Sequence, residues 1–237
     1  MKKLLNNVVN FCKNNNLIEQ NDKIAVGLSG GKDSLTLLTI LSQMHNLKIF
    51  NFELIAISID LFNGQTDYSK IQEYCDKLSV ESVIVPSNIY EILFEIRKES
   101  NPCALCSKLR KGYLLSKAKE LGCNKVALGH HADDLIQTFF MSLMFEGRIS
   151  TFQPSNYLDR TQITQIRPLL TVWENETTEF AKDLPILKNL CPADKHTKRE
   201  TIKEAIQFLE TFNKDLKKST LKALLEPKRW QNQMKLS

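Results

Sequence analysis

Six consecutive residues, Ser-Gly-Gly-Lys-Asp-Ser at positions 29–34, combine two glycines, two hydroxyls, a cation and an acid. They lie between an apolar, β-branched run at 24–28 and a helical pattern at 35–41, so we expect a strand, a tight loop and a helix start. Backbone N–H groups at a helix start bind anions, and glycines let a phosphate approach them closely. The segment is therefore predicted to hold a phosphate or pyrophosphate group.

The spacing of this loop differs from that of the Walker A loop, G-x-x-x-x-G-K-[ST]. Val26 occupies the position of the first Walker glycine, and Asp33 directly follows Lys32. An acid beside the lysine suits a loop that holds magnesium pyrophosphate as a leaving group, rather than one that passes on a γ-phosphoryl group. A plain strand-to-helix turn would explain the two glycines but not the four polar side chains around them.

Cysteines form the second group with distinctive chemistry. Cys103 and Cys106 make a C-x-x-C pair at a chain break before a basic helix, a pattern shared by half zinc sites, redox dithiols and iron–sulfur ligands. Cys191 precedes Pro192 in a turn and is predicted to face a crevice. The other three cysteines lie singly in apolar patterns and are predicted core residues: Cys12, Cys75 and Cys123.

Three cysteine ligands would leave one iron of a [4Fe–4S] cluster open to an outside ligand. Hydrosulfide bound there would be a nucleophile able to attack an activated carbonyl carbon, which would link the cysteines to the glycine loop in one reaction. A zinc site made of two or three of these cysteines with His196 remains the structural alternative.

Alternation of strand and helix patterns predicts an α/β fold with a doubly wound parallel sheet. Predicted strands cover 24–28, 52–59, 82–85 and 125–128, with an edge strand at 162–166. Predicted helices lie near the N-terminus and at 35–44, 68–78, 89–98, 107–121, 132–145, 173–183, 197–212 and 217–225. Residues 147–159 are predicted to be an irregular loop. The predicted domains are an N-terminal helix (1–22), an α/β domain with the glycine loop and an insertion that carries the C-x-x-C pair (23–170), and a mainly helical C-terminal region that completes the cysteine site (171–237).

Composition points to a soluble protein, because 42% of the 237 residues are hydrophobic and 25% are charged. No apolar run is long enough to span a membrane, and asparagines interrupt the N-terminal apolar pairs, so a cytoplasmic location is expected. Basic residues outnumber acids by six to one in 108–125 and by ten to five in 195–229. Two such stretches beside a candidate metal site favour a polyanionic partner such as RNA.

The loop at 29–34 resembles the signature of PP-loop ATP pyrophosphatases, which cleave ATP to AMP and pyrophosphate while adenylating a carbonyl oxygen. Further segments, in the same order as in the family, resemble the tRNA 2-thiocytidine synthetases: 103–112, 128–134, 166–169 and 191–192. The resemblance implies that the C2 oxygen of an anticodon-loop cytidine is activated and replaced by sulfur. It also implies ATP, Mg²⁺, a [4Fe–4S] cluster, a tRNA substrate, sulfur from a cysteine desulfurase or another sulfide source, and a homodimer.

The resemblance assigns roles to individual positions. The pyrophosphate would be held by Ser29, Gly30, Gly31, Asp33 and Ser34, with Lys32 at the developing charge. Nucleotide contacts would include Leu28, Ile59, Asp60 and Gly129. Cluster ligands would be Cys103, Cys106 and Cys191. Arg110 and Lys111 would meet RNA or nucleotide, and Asp133 and Asp134 would bind magnesium or orient the base.

Several alternatives stay open for individual residues and for the function. Asp60 follows a strand and is expected either at the nucleotide or in a turn, whereas Asp133 could be a helix cap. His130 and His131 are given no catalytic role. The competing functions are thiolation of a tRNA uridine, a ligase or amidotransferase without cluster chemistry, and a non-catalytic metal- or RNA-binding module.

Overall fold

The computed structural model describes residues 2–98, 102–188, 190–191 and 198–226. The strands are β1 (Asp22–Gly27), β2 (Phe52–Asp60), β3 (Glu81–Pro86), β4 (Lys125–Ala127), β5 (Ser155–Leu158) and β6 (Ile163–Ile166). The α-helices are α1 (Lys2–Asn14), α2 (Lys32–Asn46), α3 (Ser69–Lys77), α4 (Pro102–Glu120), α5 (Ala132–Met141), α6 (Glu174–Phe180), α7 (Lys198–Phe212) and α8 (Leu216–Leu225). Predicted elements therefore exist in the expected order, with differences described below.

Six strands form one sheet in the order β3-β2-β1-β4-β6-β5. All neighbouring strands run parallel except β5, which pairs antiparallel with β6. The strand order reverses direction between β1 and β4, the position at which open α/β sheets bind their ligands. The predicted doubly wound α/β fold is confirmed.

Both faces of the sheet are covered. Ala25 and Val126 pack with Leu114 and Ala118 of α4 in one apolar cluster. Ile24, which points to the opposite face as its neighbour in the strand, is equally inaccessible. Because both faces of the sheet are buried, the central strands have nearly continuous apolar sequences. This pattern allowed them to be predicted.

Two predictions about the region after β4 are wrong. The segment 147–159 was expected to be irregular, but Ser155–Leu158 forms β5. As a result β6 lies between β4 and β5 and is not the edge strand that the sequence suggested. The short β5 is mostly exposed, so it has no apolar run by which to recognise it.

The winding of two helical segments also differs from expectation. Residues 91–96 and 142–146 are π-helical. In the first, i→i+5 bonding advances each residue through a smaller angle than α-helical bonding. Ile96 was predicted to share the buried face of Ile89 and Leu93. It lies instead on the surface and is 66% exposed.

Contacts divide the chain into two compact units that are discontinuous in sequence. The first comprises residues 1–131 and 153–193 and contains the whole sheet, and the second comprises 132–152 and 194–237. These limits do not follow the predicted segments 1–22, 23–170 and 171–237. Within the second unit, α5 packs against α7 and α8. Among the helices that the structure describes, none is long and apolar enough to cross a membrane.

Candidate active site

The glycine loop connects β1 to α2 and is held by its own side chains. Gly30 has φ +78°, a conformation that favours glycine, whereas Gly31 is extended and caps α2. The hydroxyls of Ser29 and Ser34 lie 3.1 Å apart, and Ser34 donates to the Gly31 carbonyl over 2.9 Å. The loop thus places a helix N-terminus at the carboxyl end of the central strand, as predicted for a phosphate site.

A second segment of the first unit covers this loop. The Leu187 amide donates to the Gly30 carbonyl over 2.9 Å. A Cβ atom on Gly30 would lie only 2.5 Å from Cδ1 of Leu187. Gly30 is therefore constrained both by its backbone angle and by the side chain packed on it.

Lys32 and Asp33 begin α2 and contact α6. Lys32 Nζ lies 2.9 Å from Asp33 Oδ1 and 3.4 Å from Glu174 Oε1. The Thr177 hydroxyl, fully buried, donates to Asp33 Oδ1 over 2.6 Å. His131 Nε2 lies 3.9 Å from the same oxygen. The two charged residues of the loop are thus positioned by partners from α6 and from the turn after β4.

Three of these partners carried no predicted role. Glu174 and Thr177 follow the 166–169 segment on a helix that was predicted, but nothing local connects that helix with the loop. His131, for which the sequence analysis gave no catalytic role, is buried and faces Asp33. Its position directly after Gly129 and His130, in a turn at the carboxyl end of β4, is the signal that would have found it.

Two residues that were predicted to contact the nucleotide also have structural roles. A Cβ atom on Gly129 would lie 3.0 Å from the carbonyl group of Asp33, so glycine permits close packing of the turn on α2. The Asp60 carboxylate accepts hydrogen bonds from the amides of Phe62 and Gly64, at 3.1 and 2.5 Å. Asp60 therefore takes the turn-forming role that the sequence left open.

A cavity of about 390 Å³ opens beside the glycine loop, between the sheet and α4. Its lining residues are Gly27, Leu28, Ser29, Ile57, Ile59, Ser107, Arg110, Lys111, Leu114, Leu128, His130, Gln165 and Arg167. Predicted site residues Leu28, Ser29, Ile59 and Arg110 thus meet in one cavity. None of these lining residues is a carboxylate, and three are cations, so the cavity is suited to an anionic ligand.

The cations in the cavity act on one another. Burial lowers the pKa of Arg167 to about 10. Burial also lowers the pKa of Lys111, and the charge of Arg167 lowers it further. Two positive charges that disfavour each other in a half-buried site would both be stabilised by a negative ligand.

The cysteines separate as predicted into core and site residues. Cys12, Cys75 and Cys123 are buried, and burial raises the pKa of the Cys12 thiol to about 12. Cys103 and Cys106 lie in the first turn of α4, rather than in the break before it, so they share a helix face. Burial raises the pKa of Cys106; Arg110 opposes this rise, and Cys191 and Cys103 add to it.

Cys103 and Cys191 both affect the pKa of Cys106, and all three cysteines are at least partly exposed. No three Cys, His, Asp or Glu side chains in the described ranges stand close enough to hold a metal ion as they are. The donor chemistry fits an iron–sulfur cluster, since thiolates are its usual ligands, but the thiols would have to converge on it. Pro192 and His196, named in the sequence predictions, lie outside the described residues.

Asp133 and Asp134 open α5 in the second unit, where each has a basic partner. Lys217 Nζ lies 3.1 Å from Asp133 Oδ1, and Arg199 Nη1 donates to Asp134 Oδ1 over 2.7 Å. Burial lowers the pKa of Lys217, but the bonds and charges of Asp133 and Glu210 raise it overall. The predicted magnesium or base contact of these two acids remains a prediction.

Comparison with known proteins defines the family. A family model described as a PP-loop domain matches residues 1–206. A tRNA-cytidine(32) 2-sulfurtransferase from Aliivibrio fischeri (strain MJ11) is 37% identical over 217 residues, covering 90% of this chain and 70% of the relative. The chain belongs to this sulfurtransferase family, within the PP-loop proteins. A further member, from Actinobacillus pleuropneumoniae serotype 7 (strain AP76), is 35% identical and covers 95% of this chain and 75% of that relative.

Solved structures agree with the PP-loop assignment. A U34-tRNA thiolase from Methanococcus maripaludis, solved with its [4Fe–4S] cluster, superposes with a TM-score of 0.76 at 26% identity, covering 94% of this chain and 76% of that one. An NH3-dependent NAD synthetase from Campylobacter jejuni shares the fold, with a TM-score of 0.51 at 18% identity; it covers all of this chain and 94% of that one. The predicted PP-loop membership and the predicted resemblance to tRNA thiolation enzymes are both confirmed.

Proposed function

We propose that this protein is an ATP-dependent tRNA sulfurtransferase that replaces the C2 oxygen of cytidine 32 with sulfur. Membership of the tRNA-cytidine(32) 2-sulfurtransferase family supports this assignment. The observation that carries it is the occurrence, within one unit, of a pyrophosphate-type glycine loop, a cationic cavity and three cysteines that interact electrostatically. A ligase that only adenylates its substrate has no need of the thiols.

The glycine loop provides the activation step. The backbone and hydroxyls of residues 29–34 would hold the β- and γ-phosphates of ATP, and Asp33 would hold the Mg²⁺ that neutralises part of their charge. Lys32 would leave Glu174 and stabilise the negative charge that develops as pyrophosphate departs. The products of this step are pyrophosphate and a cytidine whose O2 carries AMP.

Sulfur would enter at the cysteine site. Cys103, Cys106 and Cys191 would hold a [4Fe–4S] cluster, which when bound supplies the sulfur that displaces AMP. Arg110 favours the thiolate form of Cys106, the form needed for ligation, and lines the cavity in which the activated base would lie. The proposal includes sulfur delivery by a cysteine desulfurase or another sulfide source, a homodimer and a cytoplasmic location.

Mass spectrometry of tRNA nucleosides from cells with and without the gene tests the proposal. Loss of 2-thiocytidine alone is the expected result. Loss of a thiouridine would instead favour uridine thiolation, the second candidate, which the likeness to the U34-tRNA thiolase supports. Unchanged thionucleosides would contradict both.

Cysteine variants test whether adenylation and thiolation depend on different residues. Cys191→Ala should retain tRNA-dependent formation of AMP and pyrophosphate but lose thiolation, and Cys123→Ala, a change at a core thiol, serves as the control. Full modification of the tRNA after Cys→Ala changes at 103, 106 and 191 together would exclude cluster chemistry, and a product without sulfur would favour the ligase alternative.

A further inference from the structure

Gln165 is an anomaly in the wall of the cavity. The residue is 1% exposed, and neither Oε1 nor Nε2 has a hydrogen-bond partner among the described residues. Burying an amide without partners costs free energy, and leucine or valine in a strand would avoid that cost. An amide kept at this position therefore points to a polar ligand that satisfies it.

The position of Gln165 selects one end of the cavity. Gln165 lies on β6, paired with Val126 of β4, and β4 separates β6 from β1 and the glycine loop. At a strand spacing of about 4.8 Å, β6 is about 10 Å from β1. The end formed by Ile57 and Ile59 of β2 lies on the other side of the loop, where doubly wound folds place the nucleoside of their nucleotide.

The β6 end thus remains for a second ligand, and its chemistry is specific. A carboxamide presents one donor and one acceptor side by side, which matches the polar edge of a nucleobase. On cytosine, N3 accepts and the N4 amine donates, and both groups face away from the sugar. Arg167 and Lys111 add positive charge beside this edge, and Arg167 is oriented by its Nη1 bond to the Gln153 carbonyl at 2.7 Å.

We propose that Gln165, flanked by Arg167 and Lys111, forms the subsite that binds the pyrimidine base to be thiolated. This inference rests on the proposed function. Nε2 donates to N3 and Oε1 accepts from N4, so that O2, which adjoins N3, is held near the two cations and within reach of ATP. The positive charge at this end stabilises the negative charge on the oxygens of the α-phosphate as O2 attacks the α-phosphorus.

Binding measurements test this subsite without requiring turnover. The probes are an anticodon stem–loop with cytidine at position 32 and the same RNA with an abasic site there. The wild-type protein should bind the cytidine RNA about tenfold more tightly, the contribution of one bidentate base contact. Gln165→Leu should bind both RNAs equally, while its affinity for magnesium ATP stays unchanged. Gln72→Leu, an exposed change on α3, should retain the preference.

Each contrary result has a definite meaning. A parallel loss of ATP affinity in Gln165→Leu would assign the amide to adenine and overturn the proposal. Equal binding of both RNAs by the wild-type protein, or an unchanged preference in Gln165→Leu, would also overturn it. The thermal midpoint of the free variant should be equal to or higher than that of the wild type, because an unpaired buried amide is removed. Failure of the proposed function is read separately, from absence of 2-thiocytidine formation by the wild-type protein.

Discussion

The Thr177 hydroxyl donates a hydrogen bond to Asp33 Oδ1 over 2.6 Å, across 144 residues of chain. This bond joins α6 to the first turn of α2 and fixes the carboxylate that follows the loop lysine. The Asp33 side chain is still 29% exposed, so it remains accessible to a metal ion or a phosphate. Thr177 is therefore a positioning residue for the charged end of the loop.

Thr177→Val should lower kcat/KM for AMP formation about tenfold, because a hydrogen bond to a charged group contributes about 1.5 to 3 kcal/mol. Shape and burial are nearly conserved by this change. Thr178→Val is the matched control: the Thr178 hydroxyl donates to the Glu174 carbonyl at 2.7 Å and makes no bond to Asp33. Steady-state kinetics with magnesium ATP and tRNA measure the effect. Equal losses in both variants would contradict the positioning role.

Gly30→Ala should destabilise the first unit by about 2 kcal/mol, because alanine is strained at positive φ and its Cβ would clash with Leu187. Gly31→Ala should be nearly neutral, since Gly31 is extended and a Cβ there would approach only Ser29 Oγ, at 3.5 Å. Chemical denaturation compares the two. Leu187→Ala added to Gly30→Ala should recover only part of the loss, because the strain in φ persists.

The Cys106 thiol should react slowly with iodoacetamide at neutral pH, because its raised pKa leaves less of it as thiolate. The rate should climb as the pH rises towards that pKa. Arg110→Gln should slow the reaction further by removing a charge that lowers this pKa, whereas Lys108→Gln, on the same helix, should not. Peptide mass spectrometry of metal-free protein gives the rates. Faster alkylation in Arg110→Gln would contradict the electrostatic argument.

Lys125→Met should destabilise the fold by about 3 kcal/mol. Lys125 Nζ lies 2.8 Å from Asp22 Oδ2, and both side chains are almost inaccessible, so the change leaves a buried carboxylate without its cation. Lys23 lies next to Asp22 on β1 and forms an exposed ion pair with Glu53. Lys23→Met removes this pair and should lower the free energy of unfolding by less than about 1 kcal/mol. Urea unfolding distinguishes the two, and equal costs would refute the burial argument.

Local patterns predicted the parts of the site that are close in sequence. The loop at 29–34 needs only its own glycines, hydroxyls and charges, and Cys103 and Cys106 stand one turn apart. The placement of the loop at the start of α2 followed from the apolar strand before it and the apolar helix after it. The predicted strands were right except for β5, whose residues are mostly exposed and form no apolar run.

Contacts between distant segments were not predictable in the same way. Thr177 is an ordinary helical threonine until Asp33 is placed beside it, and Gln165 is unremarkable in a strand until its burial is known. Asp133 and Asp134 looked like site acids, but their ion pairs with Lys217 and Arg199 depend on helices far along the chain. Pairing of this kind is fixed by packing, which a single sequence does not reveal.

The bond from the Leu187 amide to the Gly30 carbonyl also limits where the third site cysteine can be. Cys191 follows Leu187 by four residues, and four residues span at most about 14 Å. While this 2.9 Å hydrogen bond persists, the Cα atom of Cys191 stays within about 14 Å of the Cα atom of Leu187, which is bonded to the phosphate loop. This backbone connection therefore limits the distance between the site of oxygen activation and the site of sulfur transfer.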